Sequence, residues 1–175
     1  MFSSKSFITA VLVSAVIISF KLFLFYGNQI QTSSLGKWSD LISLGLIIIS
    51  IPVSVYWKKR SNESLLNEGK EIVKTGAITM LWSALFLSVF NFIFFNLELK
   101  DFMLEYLSQA DLQKKFLEEK MRNPKITLEI IKQAHQTELN HLKEMSAFSY
   151  VNFKLMPHIF LGLISSFIFG ALLRR

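Results

Sequence analysis

Lys21, Asn91, Lys154 and His158 are polar residues standing where apolar ones prevail, each near one end of a long hydrophobic stretch. Two ammonium groups, a carboxamide and an imidazole are the donors an anionic solute needs, and an imidazole can also carry a proton. Ionisable groups inside membrane-length segments ordinarily face protein or water, which makes this set a candidate solute or proton site. The plainer reading weighs more. Both lysines can run their apolar stems along the helix and reach the interface, and His158 can be a neutral, hydrogen-bonded helix contact. No acidic residue interrupts the centre of a hydrophobic stretch, so Asp40 is the only nearby counter-ion outside the long polar segment, and it also suits a helix cap.

Other constellations carry less chemistry. Glu138-Leu139-Asn140-His141 has the Glu-x-x-His spacing of di-iron bundles, but those sites need a second such motif and facing glutamates, which Glu98, Glu105 and Glu118–Glu119 do not supply. His135 and His141 are six residues apart, about 240° around a helix, and cannot share a face. This stretch reads as a solvated helix face. The chain contains no cysteine, which excludes disulfides and thiolate chemistry. It carries no glycine-rich phosphate loop, nucleophile elbow or zinc-protease motif, so the sequence points to no catalytic residue, metal or cofactor and to a protein that is not an enzyme. Serines such as Ser14, Ser83, Ser88 and Ser165 have no base in register and read as helix-packing residues. Gly162, Ser166 and Gly170 recur every four residues, a row of small side chains that lets helices approach closely; packing within the chain is the main expectation and pairing of two copies the alternative.

These residues are positioned by apolar stretches at about residues 7–26, 39–57, 75–97 and 150–173. Hydrocarbon about 30 Å thick takes roughly 20 helical residues to cross, and each stretch comes close to that. With 51% hydrophobic residues and a mean hydropathy of +0.40, the 175-residue chain is expected to be all-α, a single membrane domain over residues 1–175 with its lipid bilayer as the first partner. The first stretch runs on through Phe25 and Tyr26 without a cleavage site, which favours a retained helix over a signal peptide. Pro52 falls inside the second stretch and removes a donor from Ile48, where a kink is expected and Ser50 or Ser54 could re-satisfy the freed groups. Tyr56-Trp57 before Lys58-Lys59-Arg60 is an interface anchor with a basic flank, and the short loop that follows reads as partly helical near Leu65–Leu66.

The one long polar segment, residues 98–147, is helix-compatible. Leu99, Met103, Tyr106, Ala110 and Leu117 alternate with Asp101, Glu105, Lys114 and Glu118, continuing the third helix outward as an amphipathic stalk. Asn123-Pro124 breaks the pattern, and Ile126, Ile130, Ile131, Leu139, Leu142 and Met145 line a second amphipathic helix that returns to the fourth stretch. The segment therefore reads as a helical hairpin.

Loop charge orients the whole. The N-terminal end, the loop 58–74 and the C-terminal pair hold eight basic against three acidic residues, a net of +5, whereas residues 98–147 hold eight against nine. The positive-inside rule then puts both termini in the cytoplasm and the hairpin outside, and brings Lys21, Asn91, Lys154 and His158 to a common depth near the outer face. It also accounts for the overall charge of +6 without nucleic acid, for which no aromatic-interleaved basic patch exists.

The stretch Glu68-Gly69-Lys70 through Gly76, the aromatic close Phe90-Asn91-Phe92-Ile93-Phe94-Phe95, and the ending Pro157-His158-Ile159-Phe160-Leu161-Gly162-Leu163-Ile164-Ser165-Ser166 with Arg174-Arg175 resemble a bacterial membrane family, domain of unknown function 4199. The resemblance covers most of the chain, with a longer and more polar stretch between Asn123 and Ala147. It implies an all-helical, multi-pass protein of the bacterial inner membrane and brings no activity or catalytic residues. The expectation for function is a non-enzymatic scaffold or accessory subunit presenting the hairpin to a protein partner. The alternative is a small-solute transporter or channel component using Lys21, Asn91, Lys154 and His158.

Overall fold

The computed structural model describes residues 4–30, 34–61 and 69–172. The partly helical stretch expected near Leu65–Leu66 and the terminal Arg174–Arg175 fall outside the described residues. Every regular element described is helical: α1 (Ser4–Tyr26), α2 (Ser34–Lys37), α3 (Ser39–Ser61), α4 (Gly69–Phe94), a π-helical turn (Phe95–Leu99), α5 (Lys100–Ser108), α6 (Leu112–Arg122), α7 (Leu128–Glu144) and α8 (Ala147–Leu172). Four of the described stretches are long and apolar enough to cross a membrane: Lys5–Tyr26, Ser39–Arg60, Gly69–Ser108 and Ala147–Leu172.

The helices outrun the apolar stretches that announce them. α3 continues through Lys58-Lys59-Arg60, where basic groups favourably meet the negative end of the helix dipole. α4 starts at Gly69 rather than residue 75, because Lys70, Glu71 and Lys74 are good helix formers even though they are not apolar. α1 stops at Gly27 and Asn28, the latter held at φ 56°, a left-handed turn that asparagine tolerates better than most side chains. Around Pro52 the hydroxyls of Ser50 and Ser54 turn to the carbonyls of Ile47 and Ile51, not to the carbonyl of Ile48 that the proline leaves without its donor.

The chain groups into two compact units, one formed by residues 1–90 with 152–175 and the other by residues 91–151. In the first, α1 and α4 run parallel: the Ser6 hydroxyl reaches the Thr75 carbonyl and the Ser14 hydroxyl the Ser83 carbonyl, an advance of eight residues on each helix. α3 runs antiparallel to α4, with Val55 packed on Ile72. α8 also opposes α4, which places Gly162 against Met80 and Gly170 against Val73. Ile17, Ile47, Met80, Ala84 and Leu87 form the apolar centre.

What surrounds that centre is the reverse of a water-soluble bundle. The buried positions include Ser14, Ser43, Ser54, Thr79, Ser83 and Ser166, whereas Val16, Phe23, Ile49, Leu85, Val89 and Phe167 point outward. The hydroxyls are satisfied along their own helices: Ser43 donates to the Ser39 carbonyl (2.7 Å), Thr79 to Thr75 (2.9 Å), Ser83 to Thr79 (3.0 Å) and Ser166 to Gly162 (2.9 Å). Small hydroxylated side chains inside and large apolar ones outside is how helices pack when the solvent is hydrocarbon.

The second unit has more breaks than a two-armed hairpin requires. The expected stalk through Leu117 is interrupted after Ser108, because the Asp111 carboxylate accepts from the backbone N–H groups of Gln113 (3.0 Å) and Lys114 (3.1 Å) and starts a new helix, α6. The Thr127 hydroxyl caps α7 in the same way. The returning arm stops at Glu144, and α8 begins afresh with the Ser146 hydroxyl accepting from the Ser149 N–H. Within the unit α7 packs on both α5 and α6. The Lys100 ammonium donates to the carbonyls of Lys143 (2.9 Å) and Met145 (3.0 Å), capping the end of α7, and Phe95 stacks on Tyr150.

Candidate functional site

Lys21 lies on the last turns of α1, Asp40 on the first turn of α3, and Lys154 within α8. The Lys21 Nζ stands 3.0 Å from Asp40 Oδ1, and the Lys154 Nζ contacts Asp40 Oδ2. A single carboxylate thus ties three helices together, one oxygen to each lysine. Lys21 is buried, with only 9% of its surface exposed, although its place five residues before the end of α1 would allow it to extend outward. Burial makes an unpaired ammonium costly, and the carboxylate supplies its pair. His158 sits one helical turn beyond Lys154 on the same face of α8. Its Nδ1 lies 2.6 Å from the Lys154 carbonyl oxygen; a carbonyl can only accept, so Nδ1 carries the proton in this contact.

The four candidate residues are therefore distributed unequally. Lys21, Lys154 and His158 share the first unit and gather around Asp40. Asn91, buried on α4, falls in the second unit. The Gly162–Ser166–Gly170 row faces α4: a Cβ at Gly162 would collide with the Met80 side chain, one at Gly170 with Val73, and Ser166 lies over Gly76.

Sequence reading missed a second ion cluster. The Lys58 ammonium donates to Glu71 Oε2 (3.1 Å) and to the Thr75 hydroxyl (3.0 Å), while Lys74 reaches Glu71 Oε1 at 3.5 Å. The three-residue spacing of Glu71 and Lys74 was a visible signal; nothing local links Lys58 to either. Among the described residues of the first unit the only acidic side chains are Asp40 and Glu71, and each is shared by two lysines.

In the second unit, a cleft of about 380 Å³ between α6 and α7 is lined by Lys115, Glu118, Glu119, Ile131, Ala134, His135 and Glu138. The Nδ1 of His135 is buried there without a hydrogen-bond partner. No group of three or more metal-ligating side chains occurs among the described residues. Glu138 and His141 are not brought into such a group.

A family model described as "Protein of unknown function (DUF4199)" matches residues 6–175. No curated protein and no solved structure matches the chain.

Proposed function

We propose, for a chain that belongs to the DUF4199 family and carries four helices fit to cross a membrane, a non-enzymatic scaffold that anchors residues 98–147 and presents them to a protein partner. The setting we assign is the bacterial inner membrane, with both termini in the cytoplasm, as the loop charges favour. One observation carries the reading. α6 buries none of its residues, and Leu117, Met121 (80% exposed) and, on α7, Ile130 keep their apolar side chains uncovered within a segment that is otherwise charged. Large apolar groups left open on a polar surface mark partner-binding sites. Replacing Leu117, Met121 and Ile130 together by glutamine and repeating an in-cell crosslinking capture is expected to remove most partners bound by the wild type. An unchanged partner set would sink the proposal.

A second reading, a small-solute transporter or channel component, is favoured by a separate observation: Lys21 and Lys154 turn toward each other at Asp40 and not outward to lipid. It predicts anion flux in proteoliposomes that is lost in Lys21→Met. Flux equal to that of protein-free liposomes would exclude it.

A further inference from the structure

We propose that the cleft between α6 and α7 receives a guanidinium group, supplied by an arginine of the protein partner. This rests on the scaffold reading for the source of the arginine, and on the cleft alone for its chemistry.

α6 brings Lys115, Glu118 and Glu119 to the lining, and α7 brings Ile131, Ala134, His135 and Glu138. Within each helix these follow at intervals of three and four residues or stand side by side, so each set shares one helical face. Three carboxylates thus stand against one ammonium. The ion pairs of the chain leave most of that excess in place. Glu119 meets the largely exposed Arg122 at 3.7 Å, and Glu118 and Glu138 have no ion-pair partner among the described residues. At the same cleft the His135 Nδ1 is, among the described residues, the one buried side-chain nitrogen or oxygen without a hydrogen bond. A buried polar atom in that condition costs stability until a partner meets it.

An occupant suited to this lining is a cation that presents an N–H to Nδ1. It must also serve carboxylates that do not converge, since no three ligating side chains among the described residues close on one centre. A metal ion needs converging ligands, and an ammonium concentrates its charge at one point. A guanidinium carries five donors in a planar fork, so one edge can pair with a carboxylate while another N–H reaches Nδ1. Because it has no acceptor, Nδ1 is the acceptor in such a contact and the imidazole proton sits on Nε2. Ile131 and Ala134 offer a surface to the apolar stem of an arginine. The volume of about 380 Å³ lies at the small end of ligand clefts.

The border of the cleft points to the source. Met121 follows Glu118 by three residues on α6, and Ile130 precedes Ala134 by four on α7. Residues so spaced are neighbours on a helix surface, which makes the exposed apolar patch continuous with the cleft. Arginine is among the residues that anchor protein interfaces, and one set in the cleft leaves its own chain beside Met121 and Ile130.

The probes are N-acetyl-arginine amide and its neutral counterpart N-acetyl-citrulline amide, titrated into the full-length protein in nanodiscs with its histidines nitrogen-labelled for NMR. The His135 signal is assigned by its loss in His135→Phe. Arginine amide should shift the His135 Nδ1 resonance and leave those of His141 and His158 in place. Citrulline amide should bind about tenfold more weakly, as should arginine amide to the Glu118→Gln, Glu138→Gln double variant, because charge-assisted hydrogen bonds are lost. No shift at His135, equal affinity for the two amides, or arginine binding undiminished in the double variant would overturn the proposal. In-cell crosslinking capture then tests the source. The double variant should lose the partners that are lost when Leu117, Met121 and Ile130 are replaced. Partners kept by the double variant but lost by the apolar one overturn the arginine anchor and leave the scaffold standing. A capture altered by neither removes the scaffold, and arginine binding in the nanodisc then assigns the cleft to a free guanidinium solute.

Discussion

The two units of this chain are both helical, yet they distribute polarity in opposite senses. In the first, small hydroxylated side chains and Lys21 are inside and Phe23, Ile49, Leu85 and Phe167 are outside. In the second, the charges of α6 and α7 are outside, α6 buries none of its residues, and Leu142 is the one buried residue of α7. The contrast separates helix formation from helix packing. Propensity and capping produce helices in both units. What decides which face turns inward is the surrounding solvent: hydrocarbon gives apolar faces no reason to hide, and close backbone approach and hydrogen bonding take over.

The sharpest way to break this contrast is to fill a close approach. A Cβ at Gly76 would stand 2.7 Å from Ile51 Cγ2 on α3 and 2.9 Å from the Ser166 hydroxyl on α8. Gly76→Leu should therefore destabilise the first unit by about 3 kcal/mol, the upper range of overpacking penalties. Gly45 is the internal control, because a Cβ there meets nothing within 4 Å. Gly45→Leu should leave stability within about 0.5 kcal/mol of wild type. Unfolding in mixed detergent micelles measures both, and equal effects would show that contact at Gly76 does not hold α3, α4 and α8 together.

How much of this was legible follows from which signals are local. The four membrane-length helices could be read from apolar runs, and Asn123-Pro124 could be read as a break, because both depend on neighbouring residues. The interruption after Ser108 was harder. Asp111 is a good cap residue, but Ala110 and Leu117 carry an apolar rhythm across it, and the rhythm concealed the cap. The π-helical turn Phe95–Leu99, closed by the Lys100 N–H on the Phe95 carbonyl, leaves no mark in residue type. At the candidate site, Lys21, Lys154 and His158 stood out because lysine and histidine are unusual in apolar stretches. Asp40 was recognised as a counter-ion and as a cap, and its joint ownership by Lys21 and by Lys154, the latter 114 residues further along the chain than Asp40, depends on how α1, α3 and α8 pack. Lys58 was concealed for a related reason: its basic flank is sufficiently explained by the interface, so nothing called for a partner such as Glu71.

A smaller effect tests the second unit. Asp111→Ala removes the side chain that accepts from two N–H groups at the start of α6 and should cost about 1 kcal/mol, confined to α6 and its packing on α7. Hydrogen exchange resolves the location: amides of residues 112–122 should lose protection while those of α4 in the first unit keep theirs. Loss of protection throughout the chain would mean that the two units unfold together and would blunt the comparison between them.

The smallest expected effect is the most informative about the hydroxyl interior. Thr79 is fully buried, and its hydroxyl donates to a carbonyl of its own helix, that of Thr75. That carbonyl is also positioned to accept the next-turn backbone N–H, so deleting the hydroxyl strands no group. Thr79→Val keeps the shape and should cost only about 0.5 kcal/mol, the low end of the net contribution of a hydrogen bond, because the bond lies within one helix. Thr79→Leu, which alters the shape at the same position, should cost several times as much. If the valine variant instead falls as far as the leucine variant, the hydroxyl bonds to something beyond its own helix turn, and the interior is held by polar contacts more than by close packing. If the order holds, small size is what these positions require, and the hydroxyls are what a small side chain can carry into hydrocarbon while its own backbone satisfies it.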